Sequence, residues 1–170
     1  MPVSPNPLNY FEGKGNLYFT PTGGVERHVG NCPSFVTTPV FETREHFSSM
    51  EGIRAVDREV TVQAGLNFAI DLEEITIDNL ALFYFGEVET NSDGNLQFGI
   101  LDITTITGAL RFTGANTIGA RYEVVIPSVS MIPSGDFDWI SDDWARCQLT
   151  GKSLITGGVF GTVERLADGA

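Results

Sequence analysis

Basic side chains are scarce in this chain: ten Lys and Arg stand against 22 Asp and Glu in 170 residues, for a formal net charge of −12. Without clustered cations to neutralise phosphates, charge pairing with nucleic acid or an anionic membrane is excluded. Cysteine is almost missing. Cys32 and Cys147 lie far apart with no CxxC spacing, so there is neither a disulfide framework nor a redox pair, and both are expected as ordinary thiols in a reducing compartment. No apolar run reaches the roughly 18 residues that span a bilayer, and no basic stretch leads into an apolar one at the start, so synthesis and residence in the cytosol are expected. Charge of either sign is sparse as well, 19% of residues, whereas Gly is plentiful at 19, which suits a folded, turn-rich chain. The length favours one core, expected over residues 10–170, preceded by a flexible arm at 1–9 that carries Pro2, Pro5 and Pro7.

Chemical motifs are missing too. Gly151-Lys152-Ser153 is only the tail of a Walker loop and lies between strand signals with no helix to follow. No G-x-S-x-G elbow occurs, and neither His28 nor His46 adjoins a Ser or Cys that it would activate. His28, Cys32, His46 and Cys147 match no zinc spacing. In the acidic run Asp136, Asp138, Asp142 and Asp143, Ile140 and Ser141 stand where a calcium loop needs a ligand and a Gly. Carboxylate neighbours such as Glu73 and Glu74 point to opposite sides of an extended chain and make no acid/base pair. No enzymatic activity, metal or cofactor is expected.

What the sequence does contain is strand pattern. Leu17 to Phe19 and Val25 to Val29, punctuated by Pro21 to Gly24, predict a hairpin. Phe35 to Glu42 reads as an extended run, with Pro39 marking an edge or a bend. From Val60 to Leu72, Val60, Val62, Ala64, Leu66, Phe68, Ile70 and Leu72 alternate with Thr61, Gln63, Gly65, Asn67, Ala69, Asp71 and Glu73, and only a strand gathers that set on one face. One helix is expected from Ile77 to Tyr84, capped by Thr76, ended by Gly86, and presenting Ile77, Leu80, Ala81 and Tyr84 to a sheet. Asn91 to Asn95 predicts a turn into a strand at Leu96 to Ile103. Further strands are expected at Ala109 to Thr113, Arg121 to Val129, Ala145 to Ile155 and Val159 to Arg165, with Thr113-Gly114-Ala115-Asn116 among the turns. The fold class is mainly β: a β-sandwich or open barrel with one flanking α-helix.

Between Glu42 and Val60 the pattern breaks. Residues 43–59 hold three of the ten basic residues, Arg44, Arg54 and Arg58, against Glu45, Glu51, Asp57 and Glu59, with Phe47, Met50 and Ile53 as apolar anchors. Loops above about 12–15 residues are uncommon in compact domains. This one reads either as a docking loop with an apolar centre ringed by ion pairs, or as an Ω-loop folded on its own domain.

The runs Glu12-Gly13-Lys14-Gly15-Asn16-Leu17-Tyr18-Phe19, Arg27-His28-Val29-Gly30-Asn31-Cys32-Pro33, Glu45-His46-Phe47-Ser48-Ser49-Met50-Glu51-Gly52 through Asp57-Arg58, and Asn79-Leu80-Ala81-Leu82 resemble the major tail tube proteins of long-tailed phages with non-contractile tails. The resemblance covers about the first 90 residues and, beyond them, only the β character. It implies a protomer whose inner strands join those of five others into a hexameric β-barrel. Such rings stack around a tape measure protein, between tail terminator and tail-tip proteins, into a virion tube assembled in the host cytoplasm. DNA later passes through its lumen without specific binding. Six copies giving about four strands each would enclose an open channel and remove exposed sheet edges. On this resemblance residues 43–59 are a stacking loop, with Arg44, Glu45, His46, Phe47, Met50, Arg54, Asp57 and Arg58 as inter-ring contacts. Gln63, Asn67 and Asp71 become candidate lumen-facing residues, where acidity would repel DNA phosphates. Alternatives from other classes are a carbohydrate- or receptor-binding module of a tail tip, with Phe137, Trp139 and Trp144 as a stacking platform where buried rings are the commoner fate, and a related secretion-system tube component.

Overall fold

The structure, a computed structural model, describes residues 5–50, 52–115 and 118–167. Part of the expected arm (1–4), Glu51 of the expected loop and Asn116 of one expected turn lie outside the described residues. Within the rest of the arm, Pro7–Asn9 forms a single 3₁₀ turn.

The chain is mainly β and its sheets are antiparallel. In chain order the elements are β1 (Gly15–Pro21), β2 (Arg27–His28), β3 (Ser34–Phe47), β4 (Val56–Leu72), α1 (Ile77–Tyr84), β5 (Glu89–Thr90), β6 (Leu96–Gln97), β7 (Ile106–Gly114), β8 (Tyr122–Pro133), β9 (Cys147–Ser153) and β10 (Thr162–Arg165). Seven strands run in the order β2-β1-β7-β8-β9-β4-β3, and the eighth, β10, pairs with β8; β5 and β6 make a separate small hairpin. β8 is shared along one side: Tyr122 to Val125 pair with β10, Val129 to Pro133 with β9, so the sheet forks between them.

The sheet curls strongly. Phe35 on the edge strand β3 reaches Phe112 on β7 with ring centroids 5.9 Å apart, although three strands separate β3 from β7 in the hydrogen-bonded order. The result is an open barrel, since β2 and β3 remain as edges. Its inside is filled by Leu17 and Phe19 from β1, Phe68, Ile70 and Leu72 from β4, Ile106 and Leu110 from β7, Ile126, Val129 and Met131 from β8, and Leu149 from β9. Each such buried side chain contributes about 1.5–3 kcal/mol relative to exposure.

The short helix α1 closes one end of this core. Thr76 Oγ1 accepts from the Asn79 N–H at 3.2 Å, as its capping position demands. Termination differs from the expectation: Phe85, at φ 53°, takes the left-handed position, and Gly86 is needed for another reason. A Cβ at Gly86 would stand 2.6 Å from the Gly99 carbonyl oxygen, so the chain passes too closely for any side chain. Of the face expected, Ala81 is buried and Leu80 and Tyr84 pack partly buried against the core, but the most buried positions also include Asn79 and Phe83.

Other expectations need correction. The strand foreseen from Leu96 to Ile103 is two residues long, since Ile103 N–H bonds instead to the Phe85 carbonyl. The face expected to run unbroken from Val60 to Leu72 is buried only from Phe68 onward; Val60 and Val62 are exposed, and a bulge at Val62 takes Val60 off that face. Residues 43–59 are largely not a loop. Thr43 to Phe47 continue β3, Val56 begins β4, and the two pair out to Phe47 with Val56, leaving eight residues at the tip. Charge made the arms read as loop, but a ladder exposed on both faces tolerates charge. Pro39 does lie on an edge, because β3 pairs with β4 alone.

Candidate assembly interface

The β3–β4 hairpin is the feature that the core does not account for. Its 17-residue second strand extends over roughly 50 Å at about 3.3 Å per residue, of which only the segment from Leu66 to Leu72 lies against the barrel. The outer part stands free as a two-stranded finger. Register shifts between Glu42 and Thr43 and between His46 and Phe47 place bulges in it, which twist and re-aim the strands.

Every residue expected as an inter-ring contact sits on this finger. Arg44, Glu45, His46 and Phe47 are on β3, Met50 and Arg54 on the tip, Asp57 and Arg58 on β4. The geometry ties several of them together. His46 Nδ1 and Asp57 Oδ1 are 2.6 Å apart, joining the two arms, and the Arg54 guanidinium lies over the Phe47 ring at 5.5 Å. The Ser48 N–H donates to the Ala55 carbonyl at 3.0 Å and closes the ladder at the tip. Met50 and Ile53 remain 91% and 92% exposed, and Arg44, Arg54 and Arg58 have no carboxylate partner among the described residues.

Below the tip, Ala64 continues the core face of β4, joined by Phe41, which pairs with it; the bulge at Val62 then turns the strand over, so that Val60 stands opposite Arg44 on the other face. Phe41, Val60 and Val62 are all exposed. Phe41 borders a cleft of about 520 Å³ between Pro39, Phe41 and Leu66 on one side and Val124 and Val159 to Val163 on the other.

Gln63, Asn67 and Asp71 fall on the opposite, polar face of β4. There the register aligns Thr107, Ser130, Lys152, Asn67 and Thr38 across five strands. Asp71 accepts from Gln148 Nε2 at 3.3 Å. The stripe is made of small polar groups and one lysine, so acidity is not its dominant property; the acids Glu42 and Asp71 sit beside it on the edge strand and at the end of β4.

At the end of β4 away from the finger lies a second exposed region, the connection from β8 to β9. Leu72 pairs with Cys147, which fixes this connection beside α1. Trp139 stacks on Tyr84 with centroids 6.0 Å apart and 15° between planes, and Tyr84 stacks in turn on Phe98. Trp139 Nε1–H donates to the Tyr84 hydroxyl at 2.9 Å, and Phe137 meets Trp139 edge-on at 4.9 Å. Burial, the commoner fate of such rings, holds in part for Phe137, which packs against the core, and not for the others: Trp139 is 68% exposed, Ile140 98% and Trp144 92%. Trp144 joins no ring cluster among the described residues, so the three aromatics do not form one platform.

Two networks hold the body. Arg111 donates to both Glu26 carboxylate oxygens, at 2.9 and 2.6 Å, and to Glu123 at 3.2 Å, while lying over the Tyr18 ring at 4.3 Å. Its hydrogen bond to Glu26 holds the guanidinium's proton more tightly and lowers the Glu26 carboxyl. Asn79, fully buried, accepts from Arg27 Nη1 and donates to the carbonyls of Val29 and Glu74, each at 2.8 Å. Burial pushes the Cys147 thiol up to about 11 and raises Cys32 as well. Among the described residues no three of His, Cys, Asp and Glu gather as metal ligands, and His28 is engaged with Asn16 and the Gly30 N–H. No helix among them is long and apolar enough to cross a membrane.

Residues 10–99 match the model of a family described as protein of unknown function UCP028589. No curated protein matches the chain.

Proposed function

We propose, from the premise that the chain belongs to this UCP028589 family of unknown function, that it is a structural protein that polymerises into a tube and carries out no catalysis. The observation that carries the reading is the β3–β4 finger: an open edge strand and three exposed apolar side chains, Phe41, Val60 and Val62, standing out beyond the body. A single copy leaves both in water. A neighbouring copy that lays its sheet alongside pairs the edge and covers these side chains.

The resemblance of the first 90 residues to tail tube proteins of long-tailed phages supplies the rest. Six copies form a ring, the rings stack around a tape measure protein between terminator and tip proteins, and the virion tube conducts DNA. The polar stripe Thr107-Ser130-Lys152-Asn67-Thr38, with Gln63 and Asp71 nearby, faces the lumen in this arrangement, and a single lysine against the nearby acid means little retention of phosphate. Arg44 to Arg58 on the finger grip the next ring.

Negative-stain microscopy of the purified chain, with and without a tape measure protein, tests the reading. Rings and tubes are the expected result. Replacing Phe47 and Arg54 together by Ala leaves a folded protomer whose tubes are shorter or absent; tubes of unchanged length would remove the finger from the contact.

A further inference from the structure

The finger needs something to grip, and resting on the tube reading, we propose that its tip docks on the β8–β9 connection of a second copy, with Ile140 and Trp144 as the seat for Met50 and Ile53. The two regions lie at opposite ends of β4. The tip joins β3 to β4 before Val56, and the connection enters β9 at Cys147, which pairs with Leu72. A chain cannot bring its own tip to its own connection across roughly 50 Å of strand. A copy displaced along β4 can, and the contact is then head-to-tail, the kind that repeats without closing.

Both regions are unpartnered in the same way. Met50, Ile53, Ile140 and Trp144 are each more than nine-tenths exposed, an unusual loss of apolar burial at two small places on one molecule. Individual charges can pair across the contact, although the finger is mixed and also carries Glu45, Asp57 and Glu59, of which Asp57 is held by His46. Asp136, Asp138, Asp142 and Asp143 flank the seat, and no ion pair among the described residues uses them; Arg44, Arg54 and Arg58 on the finger are likewise without a carboxylate. The seat is also held still. Trp139 is fixed by its stack and hydrogen bond on Tyr84, and Arg146 Nη2 binds Glu73 Oε1 at 2.9 Å at the other end of the connection, so docking orders little new chain. Trp and Arg in such positions dominate contact energies.

The test mixes two full-length variants, one with Ile53→Cys and one with Trp144→Cys, under mild oxidation at a concentration where the wild type stacks. A disulfide-linked dimer containing one of each, formed in the mixture and not by either alone or by wild type, is expected. In parallel, Ile140→Ser with Trp144→Ser is expected to preserve rings and raise the concentration needed for stacking about tenfold. Normal stacking by that double variant, without the mixed cross-link, overturns the proposal and leaves the tube reading intact. Quenching of Trp fluorescence by a neutral oligosaccharide, with stacking unaffected, also overturns it and makes the seat a glycan site. Wild type that forms neither rings nor stacks overturns both.

Discussion

Asn79 joins three segments that are distant in sequence: the β2 arginine, the strand end at Val29 and the helix entry at Glu74. Replacing it with Ala leaves Arg27 Nη1 and two carbonyls short of partners in a buried place, at about 1–3 kcal/mol for each unsatisfied group that water fails to reach. Asn79→Ala is expected to lower the urea midpoint by at least about 2 kcal/mol in equivalent stability, and Asn79→Asp to lower it similarly, whereas Asn91→Ala on the exposed turn shifts it little. Asn79 stands in one of the runs that carry the resemblance, but helical periodicity did not mark it, because that signal seeks apolar side chains and a polar residue on the buried face reads as surface. The cysteines were more legible. Cys147 is fully buried and its thiol is pushed up to about 11 by that burial, so at pH 8 in the native state it is not expected to react with iodoacetamide on a time scale where the unfolded chain is fully alkylated; native modification mapped to Cys147 would show that the core opens there.

The finger, among the elements, was half legible. Strict alternation identified β4 and its core face from Ala64 to Leu72, but it says neither where a bulge turns the strand over, as at Val62, nor whether anything covers the side. The same limit hid the arms of the hairpin, where Arg44, Glu45, His46, Asp57, Arg58 and Glu59 sit in a ladder exposed on both faces. It also hid the exposure of Trp139 and Trp144, which follows from where the β8–β9 connection is placed. Helix α1 was read from its cap, while its αL end at Phe85 was missed because Gly86 offered the commoner terminator. Because Val60 and Val62 are exposed in one copy, changing them to Thr is expected to leave monomer stability within about 0.5 kcal/mol of wild type while weakening self-association, as sedimentation velocity across a concentration series would show. Lost stability in the monomer would mean that these side chains are already packed.

Across the whole molecule, a mainly β architecture with one helix was readable from composition, turns and alternation. The curl of the sheet, the sharing of β8 between β9 and β10, and the strand order were not, because they depend on pairings such as Leu17 with Phe112 that no local pattern encodes. The distances along β4 that set finger and seat at opposite ends belong to that same level. A hairpin rooted over only part of its length behaves as a cantilever. Load applied at the tip is taken up by flexing of the slender two-stranded beam, whose bulges are its compliant points, before any registry inside the barrel is disturbed. An array of such bodies linked through their beams bends as a chain of stiff beads on springs, its curvature spread over the links and its beads undeformed.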